Sequence, residues 1–247
     1  MSERSNPIVI IPARMASTRL PGKPLADIHG QPMIMHVWRR AMEADIGPVV
    51  VACAETEIAD VVRDAGGEAV LTHPGHLSGS DRIYEALELF DSDGRHDLIV
   101  NLQGDLPTID PATVGAALRP LAKSAVDIAT LATPIGDPAE LGDPNVVKAV
   151  LSIAMGGQMG RAIYFSRLGV PWGDGAYYHH IGIYAYRRAA LARFVGLPHG
   201  VIERRERLEQ LRALENGMRI DAVIVGAIPQ GVDTPEDLER ARALLAP

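Results

Sequence analysis

The residues best equipped for chemistry begin with three cations and no acid between Pro12 and Leu25: Arg14, Arg19 and Lys23. They bracket Ser17, Thr18 and Gly22. Small residues and glycine let backbone N–H groups approach an anion, while arginine supplies a fork of donors and lysine a point charge. This is anion-binding chemistry, although the spacing is not that of a Walker loop. Two acids are placed to complement it. Asp105 follows Gln103-Gly104, and Asp233 directly precedes Thr234-Pro235-Glu236-Asp237. Carboxylates beside phosphate oxygens make the donor set that Mg²⁺ prefers. A fourth group lies in Tyr178–Tyr186, where strand alternation would put His180, Gly182 and Tyr184 on one face, suited to a hydroxyl-rich ligand, with His179 on the other. Each group also has a plainer reading: a solvated basic loop, a turn aspartate, an acid that complements a helix dipole, and an exposed edge strand. His73 and His76 read as loop histidines.

The elements that must position these residues alternate between strand and helix, as in an α/β domain with a mainly parallel sheet. The β-branched run Ile8–Ile11 predicts a buried first strand, which puts the cationic loop off its carboxyl end, where open α/β sheets bind nucleotides. A helix is expected from Gln31-Pro32, a strand over Val49–Ala52, a helix over Thr56–Arg63 and a strand over Glu68–Leu71. Next come a helix over Asp81–Phe90 and a strand over Asp97–Leu102 that runs into Asp105. Asp110-Pro111 predicts a helix start, continuing to about Leu121. Strands follow at Val126–Leu131 and Val146–Ile153, the latter turning through residues 154–160 into Arg161–Phe165. One helix is predicted over Arg204–Asn216, a strand over Ile220–Val225, and a last helix to Leu245 behind a capping box at Thr234. No repeat or linker is evident, so a single domain is expected over residues 1–247.

Composition removes several classes of function. The chain has 247 residues, 47% hydrophobic, enough for a sizeable core. A net charge of −7 and 4% aromatics argue against a nucleic-acid or anionic-membrane surface. The single cysteine, Cys53, rules out an internal disulfide and multi-cysteine zinc, and reads as a small buried hydrophobe. No run approaches the ~20 apolar residues of a membrane span, and residues 1–6 carry no apolar signal core. A cytoplasmic protein is expected.

Taken together, the motifs resemble the sugar-acid cytidylyltransferases. The stretch Pro12–Leu25 matches their signature. In order follow Ser78-Gly79-Ser80-Asp81-Arg82, Asn101-Leu102-Gln103-Gly104-Asp105 with Pro107, Pro144-Asn145-Val146-Val147-Lys148, and Tyr164-Phe165-Ser166-Arg167 with Pro171-Trp172. His180–Arg187, Leu208-Glu209-Gln210-Leu211-Arg212 and Val232–Leu238 complete the set. This order is similar to that of the 3-deoxy-manno-octulosonate (Kdo) cytidylyltransferase family over about residues 7–243.

The resemblance implies a nucleotide-diphospho-sugar transferase-like (Rossmann-like) fold with a small β-subdomain, around residues 138–180, used in a homodimer. It implies transfer of CMP from CTP to Kdo with release of pyrophosphate, for lipopolysaccharide assembly. By that likeness Arg14 and Lys23 would hold the triphosphate, with Ala13 and Ser17 in the same loop, and Ser80 and Arg82 would lie against cytosine and ribose. Asp105 and Asp233 would bind Mg²⁺, with Gln103 near the sugar. Arg167, His180, Tyr184, Glu209 and Gln210 would line the sugar pocket. One departure stands out: the family pattern has Glu after Gln-Gly-Asp, and this chain has Leu106. Glu209 and Gln210, adjacent on a predicted helix, would point ~100° apart. The rival readings are a cytidylyltransferase for 8-amino-Kdo or sialic acid, and a catalytically silent nucleotide-binding subunit.

Overall fold

The computed structural model describes residues 5–17 and 19–246, so Thr18 and residues 1–4 lie outside the described residues. The elements are β1 (Pro7–Ala13), β2 (Asp27–Ile28), β3 (Gln31–Pro32), α1 (Met33–Glu43), β4 (Val49–Cys53), α2 (Thr56–Asp64), β5 (Glu68–Leu71), α3 (Gly79–Phe90), β6 (Leu98–Asn101) and α4 (Pro111–Ala116). They continue with β7 (Ile128–Pro134), β8 (Lys148–Ile153), β9 (Met159–Ser166), β10 (Tyr178–Arg187), α5 (Arg188–Val195), α6 (Val201–Glu206), α7 (Leu211–Glu215), β11 (Ile220–Ile224) and α8 (Pro235–Leu244). The chain divides into two compact units, residues 1–115 with 229–247, and residues 116–228.

In the first unit the strands run in the order β5-β4-β1-β6, and every pair is parallel. Ile8, Val9, Ile10 and Ile11 are fully buried, as a central strand covered on both faces requires. Each such side chain removed from water contributes about 1.5–3 kcal/mol. α1 and α3 pack against β1, and α2 against β4 and β5. The last segment returns to this unit. Val232, Leu238 and Ala241 pack with Ile28 and Met33 in one buried cluster.

In the second unit the order is β10-β7-β11-β9-β8, mostly antiparallel with one parallel pair, β7 with β11. β8 also pairs with β10 at Lys148 and His179, so the strand order closes on itself. Alternation along β10 is interrupted by a bulge between Ile181 and Tyr184. His180 and Tyr184 still share a face, with ring centroids 5.5 Å apart, and Gly182 is exposed in the bulge.

Two predicted helices need correction. The helix from Asp110 ends at Ala116 and is followed by a separate 3₁₀ turn, Arg119–Ala122. Pro120 supplies the reason, because it cannot donate to the preceding turn. The helix predicted over Arg204–Asn216 is two short helices. Arg207 takes a left-handed conformation (φ 56°) that ends α6, and Glu209 and Gln210 lie in the connector before α7. The ~100° divergence expected for these two side chains on one helix does not apply.

That connector is pinned by a buried ion pair. Arg212 donates to Glu203 at 2.6, 3.0 and 3.1 Å, and both residues are buried. Burial alone would raise the Glu203 pKa. Hydrogen bonds from Arg212 and His199 outweigh it and bring the carboxyl down to about 2. A depressed folded-state pKa stabilises above the unfolded value of about 4.3 and loses that stabilisation as pH falls toward the folded one. Glu203→Gln should therefore lower stability at pH 7 by roughly 3 kcal/mol. It should also flatten the decline in urea midpoint between about pH 4.3 and pH 2. Equal midpoints for both proteins at pH 7 would show that the pair does not hold the connector.

Candidate active site

The carboxyl ends of β1 and β6 and the start of α3 open onto a cleft of about 400 Å³, lined entirely by first-unit residues. This lies within the roughly 300–1,000 Å³ usual for small-molecule sites. The loop after β1 forms one wall with Ala13, Arg14, Ala16, Ser17, Arg19 and Lys23. Its shape is set locally. Gly22 adopts φ 68° and caps the 3₁₀ turn Lys23–Leu25, the Ser17 hydroxyl accepts from the Leu20 N–H at 3.3 Å, and Glu55 accepts from the Met15 N–H at 3.1 Å.

The floor is the segment after β6. Gly104 passes so close to β1 that a Cβ there would sit 2.7 Å from the Pro12 carbonyl oxygen. That approach brings Asp105 under the loop. Asp233 arrives from the other end of the chain and is held twice. The Val232 N–H donates to the Asp105 carbonyl at 2.9 Å, which ties the two acid-bearing segments together. The Asp233 N–H donates to Asp237 at 3.0 Å, within the capping box that Thr234 and Asp237 form at the start of α8.

Lys23 joins the parts. Its ammonium donates to Asp105 at 2.8 Å and to Asp233 at 3.1 Å. Burial alone would lower its pKa, and the two carboxylates, Asp105 most, hold it above its ordinary value. Arg19 reaches the other oxygen of Asp233 at 3.0 Å. Arg14 is exposed and has no ion-pair partner among the described residues. Arg82 is 2% exposed. It donates to Thr72 at 2.6 Å, and its Nη2 is buried with no partner among the described residues. Burial lowers its pKa, against the charge of Glu55. The lining thus carries four guanidinium or ammonium groups against two carboxylates, a locally positive surface on a chain of net charge −7. A cleft of this charge attracts and focuses anions.

Of the residues predicted from sequence, Ala13, Arg14, Ser17, Lys23, Arg82, Gln103, Asp105 and Asp233 all line this cleft. Ser80 does not. It is buried, with its hydroxyl 3.0 Å from that of Ser78, which caps α3 and takes the place in the wall. Leu106, where the family pattern has Glu, is buried and packs toward Gly231. His76 also lines the cleft, paired with Glu85, which accepts from the His73 N–H as well. Sequence reasoning treated His76 as a solvated loop residue and passed over Glu55. The only local signal for Glu55 was its place just past the end of a buried strand.

The remaining predicted residues belong to the second unit. His180 and Tyr184 adjoin there, and burial, with the charge of Glu209 behind it, raises the Tyr184 pKa. Gln210 is 6% exposed, and its Nε2 has no partner among the described residues. Arg167 is committed to the backbone, donating to the carbonyls of Pro144, Glu206 and Arg207 at 2.7, 2.8 and 3.3 Å. Lys148, fully buried, donates to three more carbonyls, those of Asp143, Val146 and Arg167.

A parallel sheet with a cationic loop at its strand ends, facing two clustered carboxylates, defines a nucleotidyltransferase. The comparisons agree and sharpen this. The cytidylyltransferase family model matches residues 8–220. The chain belongs to the cytidylyltransferase family. It is 66% identical to the 3-deoxy-manno-octulosonate cytidylyltransferase of Methylobacterium radiotolerans, over 98% of this chain and 97% of that one. It is 63% identical to the protein of the same name from Paramagnetospirillum magneticum, over 97% of each. A solved structure of CMP:2-keto-3-deoxy-manno-octonic acid synthetase complexed with CTP is 41% identical, with a TM-score of 0.90 over 98% of this chain and 99% of that one. A 4-diphosphocytidyl-2C-methyl-D-erythritol synthase from Anaerococcus prevotii, 15% identical with a TM-score of 0.64, shares the fold.

The packing of Gly104 gives a direct test. In Gly104→Ala, either the Cβ or the Pro12 carbonyl must move, at roughly 1–3 kcal/mol. Asp105 would move with it. The variant should show a lower denaturation midpoint and a larger loss of pyrophosphate release than the stability change explains. Wild-type behaviour in both would mean that the close approach does not position Asp105.

Proposed function

We propose that this chain activates Kdo with CTP, giving CMP-Kdo and pyrophosphate for lipopolysaccharide assembly. The observation that carries the reading is the convergence of Asp105 and Asp233 on one cation beneath a phosphate-binding loop. The names of the full-length relatives supply the nucleotide and the acceptor. In the reaction the anomeric hydroxyl oxygen of Kdo attacks the α-phosphorus of CTP. A P–O bond forms, the bond from the α-phosphorus to the bridging oxygen breaks, and pyrophosphate leaves with that electron pair. Arg14 and Lys23 neutralise the charge that develops on the leaving group.

Mg²⁺ is the implied cofactor, and the residues present fit it. Two carboxylates already meet at a point cation, the Lys23 ammonium, and no cluster of three metal-ligating side chains occurs among the described residues. A two-carboxylate site completed by phosphate oxygens and water is what Mg²⁺ favours. Held there, the ion would supply Lewis-acid polarisation of the phosphate and acidify the attacking hydroxyl. Ser17 and Ala13 would bound the phosphates, Arg82 with Ser80 behind it would face the nucleoside, and Gln103 would approach the sugar. Arg167, His180, Tyr184, Glu209 and Gln210 would shape the acceptor pocket, with Arg167 contributing only the donors its carbonyl contacts leave over.

Asp105→Asn keeps the side-chain volume and removes the charge. It should lower kcat about 10²–10⁴-fold, the range in which single electrostatic groups act. The thermal melt should be preserved. Near-normal pyrophosphate release from CTP, Mg²⁺ and Kdo in this variant would sink the assignment, and turnover of sialic acid or 8-amino-Kdo in preference to Kdo would change the acceptor.

We also propose a homodimer formed through the region around residues 138–180 in a cytoplasmic enzyme. The support is Leu168 and Trp172, which are 73% and 99% exposed in this chain. No helix among the described residues is long and apolar enough to cross a membrane. Light scattering should give twice the chain mass, and Trp172→Glu should return it to the mass of one chain. A wild-type protein of single-chain mass would remove this proposal.

A further inference from the structure

His180 sits at the head of a ladder of rings in the second unit. Phe165 lies 4.8 Å from it edge-on, Tyr184 follows at 5.5 Å, and Tyr186, Phe194 and the Arg212 guanidinium continue the series. These contacts hold the plane of the imidazole. They do not decide which ring nitrogen carries the proton.

Thr130 decides that. It is fully buried on β7, and its hydroxyl oxygen lies 3.0 Å from His180 Nε2, 2.9 Å from the Ile183 carbonyl and 3.2 Å from the Ile181 carbonyl. A hydroxyl has one hydrogen to give and two lone pairs. A carbonyl can only accept, and Ile183 lies in the bulge, outside the register that pairs β10 with β7. The Thr130 hydrogen therefore goes to a carbonyl, and the oxygen accepts from His180 Nε2–H. With Nε2 protonated, a neutral ring leaves Nδ1 as a bare lone pair. The ring is neutral because burial, aided by the neighbouring His179, pushes its pKa down to about 3. Nδ1 makes no hydrogen bond among the described residues, in a side chain that is 9% exposed.

We propose that Thr130 is a positioning residue that locks His180 in the Nε2–H form, so that its Nδ1 accepts a hydrogen bond from a hydroxyl of the acceptor sugar. This deepens the proposed acceptor pocket and rests on that reading. The neighbouring groups fit a polyol. Tyr184, beside His180, keeps its phenolic proton. Glu209 lies close enough for its charge to act on Tyr184 and is paired with Arg212 at 3.6 Å, and Gln210 has a buried amide N–H with no partner among the described residues. The cations nearby are already engaged: Arg212 by Glu203 and Glu209, and Arg167 by three carbonyls.

The test is nitrogen NMR on the whole ¹⁵N-histidine-labelled enzyme near pH 7, with His180 assigned by loss of its signals in His180→Gln. The expected spectrum shows a pyrrole-type Nε2 and a pyridine-type Nδ1. The opposite tautomer or an imidazolium overturns the proposal. Adding Kdo should move the Nδ1 resonance upfield, as a lone pair that gains a donor does. An unmoved resonance in an enzyme that turns over Kdo also overturns it. Thr130→Val should raise KM for the sugar about tenfold with KM for CTP unchanged and should mix the tautomers, and Thr130→Ser should restore both. A variant that loses kcat and both KM values together, with the tautomer intact, would assign Thr130 to folding alone and refute the positioning role. If no sugar acid is turned over, the functional reading fails, while the spectrum of the free enzyme still decides the tautomer.

Discussion

One ammonium group organises the first unit. Lys23 is bonded to acids that lie 82 and 210 residues away in sequence, and its charge offsets the repulsion between them. The surrounding backbone is built to make that meeting point. Gly104 permits the close pass beneath β1, the Val232–Asp105 hydrogen bond joins the two strands of chain, and the capping box stiffens Asp233 from behind. The meeting point of the two carboxylates already favours positive charge, which is what the proposed Mg²⁺ would require of it.

The second unit uses its cations to hold its own chain. Buried Lys148 and half-buried Arg167 each donate to three carbonyls, and buried Arg212 is paired with Glu203 and Glu209. Buried charges are tolerated only when so compensated. Segments with little regular structure, such as the connector after α6 and the stretch around Pro144, thereby acquire defined shapes. Removing a positive charge here would disturb geometry before it disturbed binding.

Much of the first unit could be read directly from residue order. The continuous apolar runs at β1 and β4 mark strands buried on both faces, and the Thr234 box announced α8 to within a residue. The places of the cationic loop and Asp105 were legible because strand ends in a parallel sheet face one crevice, and that of Asp233 because a capped helix follows it. The second unit translated less well. Period alone could not show that Arg207 would turn left-handed and break a helix, nor that a bulge would interrupt β10. Pairings such as Arg212 with Glu203, or Thr130 with His180, depend on which strands become neighbours, and no local pattern encodes that. Glu55 and His76 were missed for a related reason: their partners, Met15 and Glu85, are chosen by tertiary packing.

The return of the C-terminal segment to the first unit has a bearing on synthesis. A ribosome makes the loop after β1 before Asp233, with the whole of residues 116–228 emerging in between. Until α8 packs its Val232, Leu238 and Ala241 against Ile28 and Met33, Lys23 has one carboxylate and the unit lacks part of its core. A nascent chain that stops short of Asp233 therefore presents the cationic loop without the paired acids. The two carboxylates can meet at Lys23 only after residues 116–228 have been made.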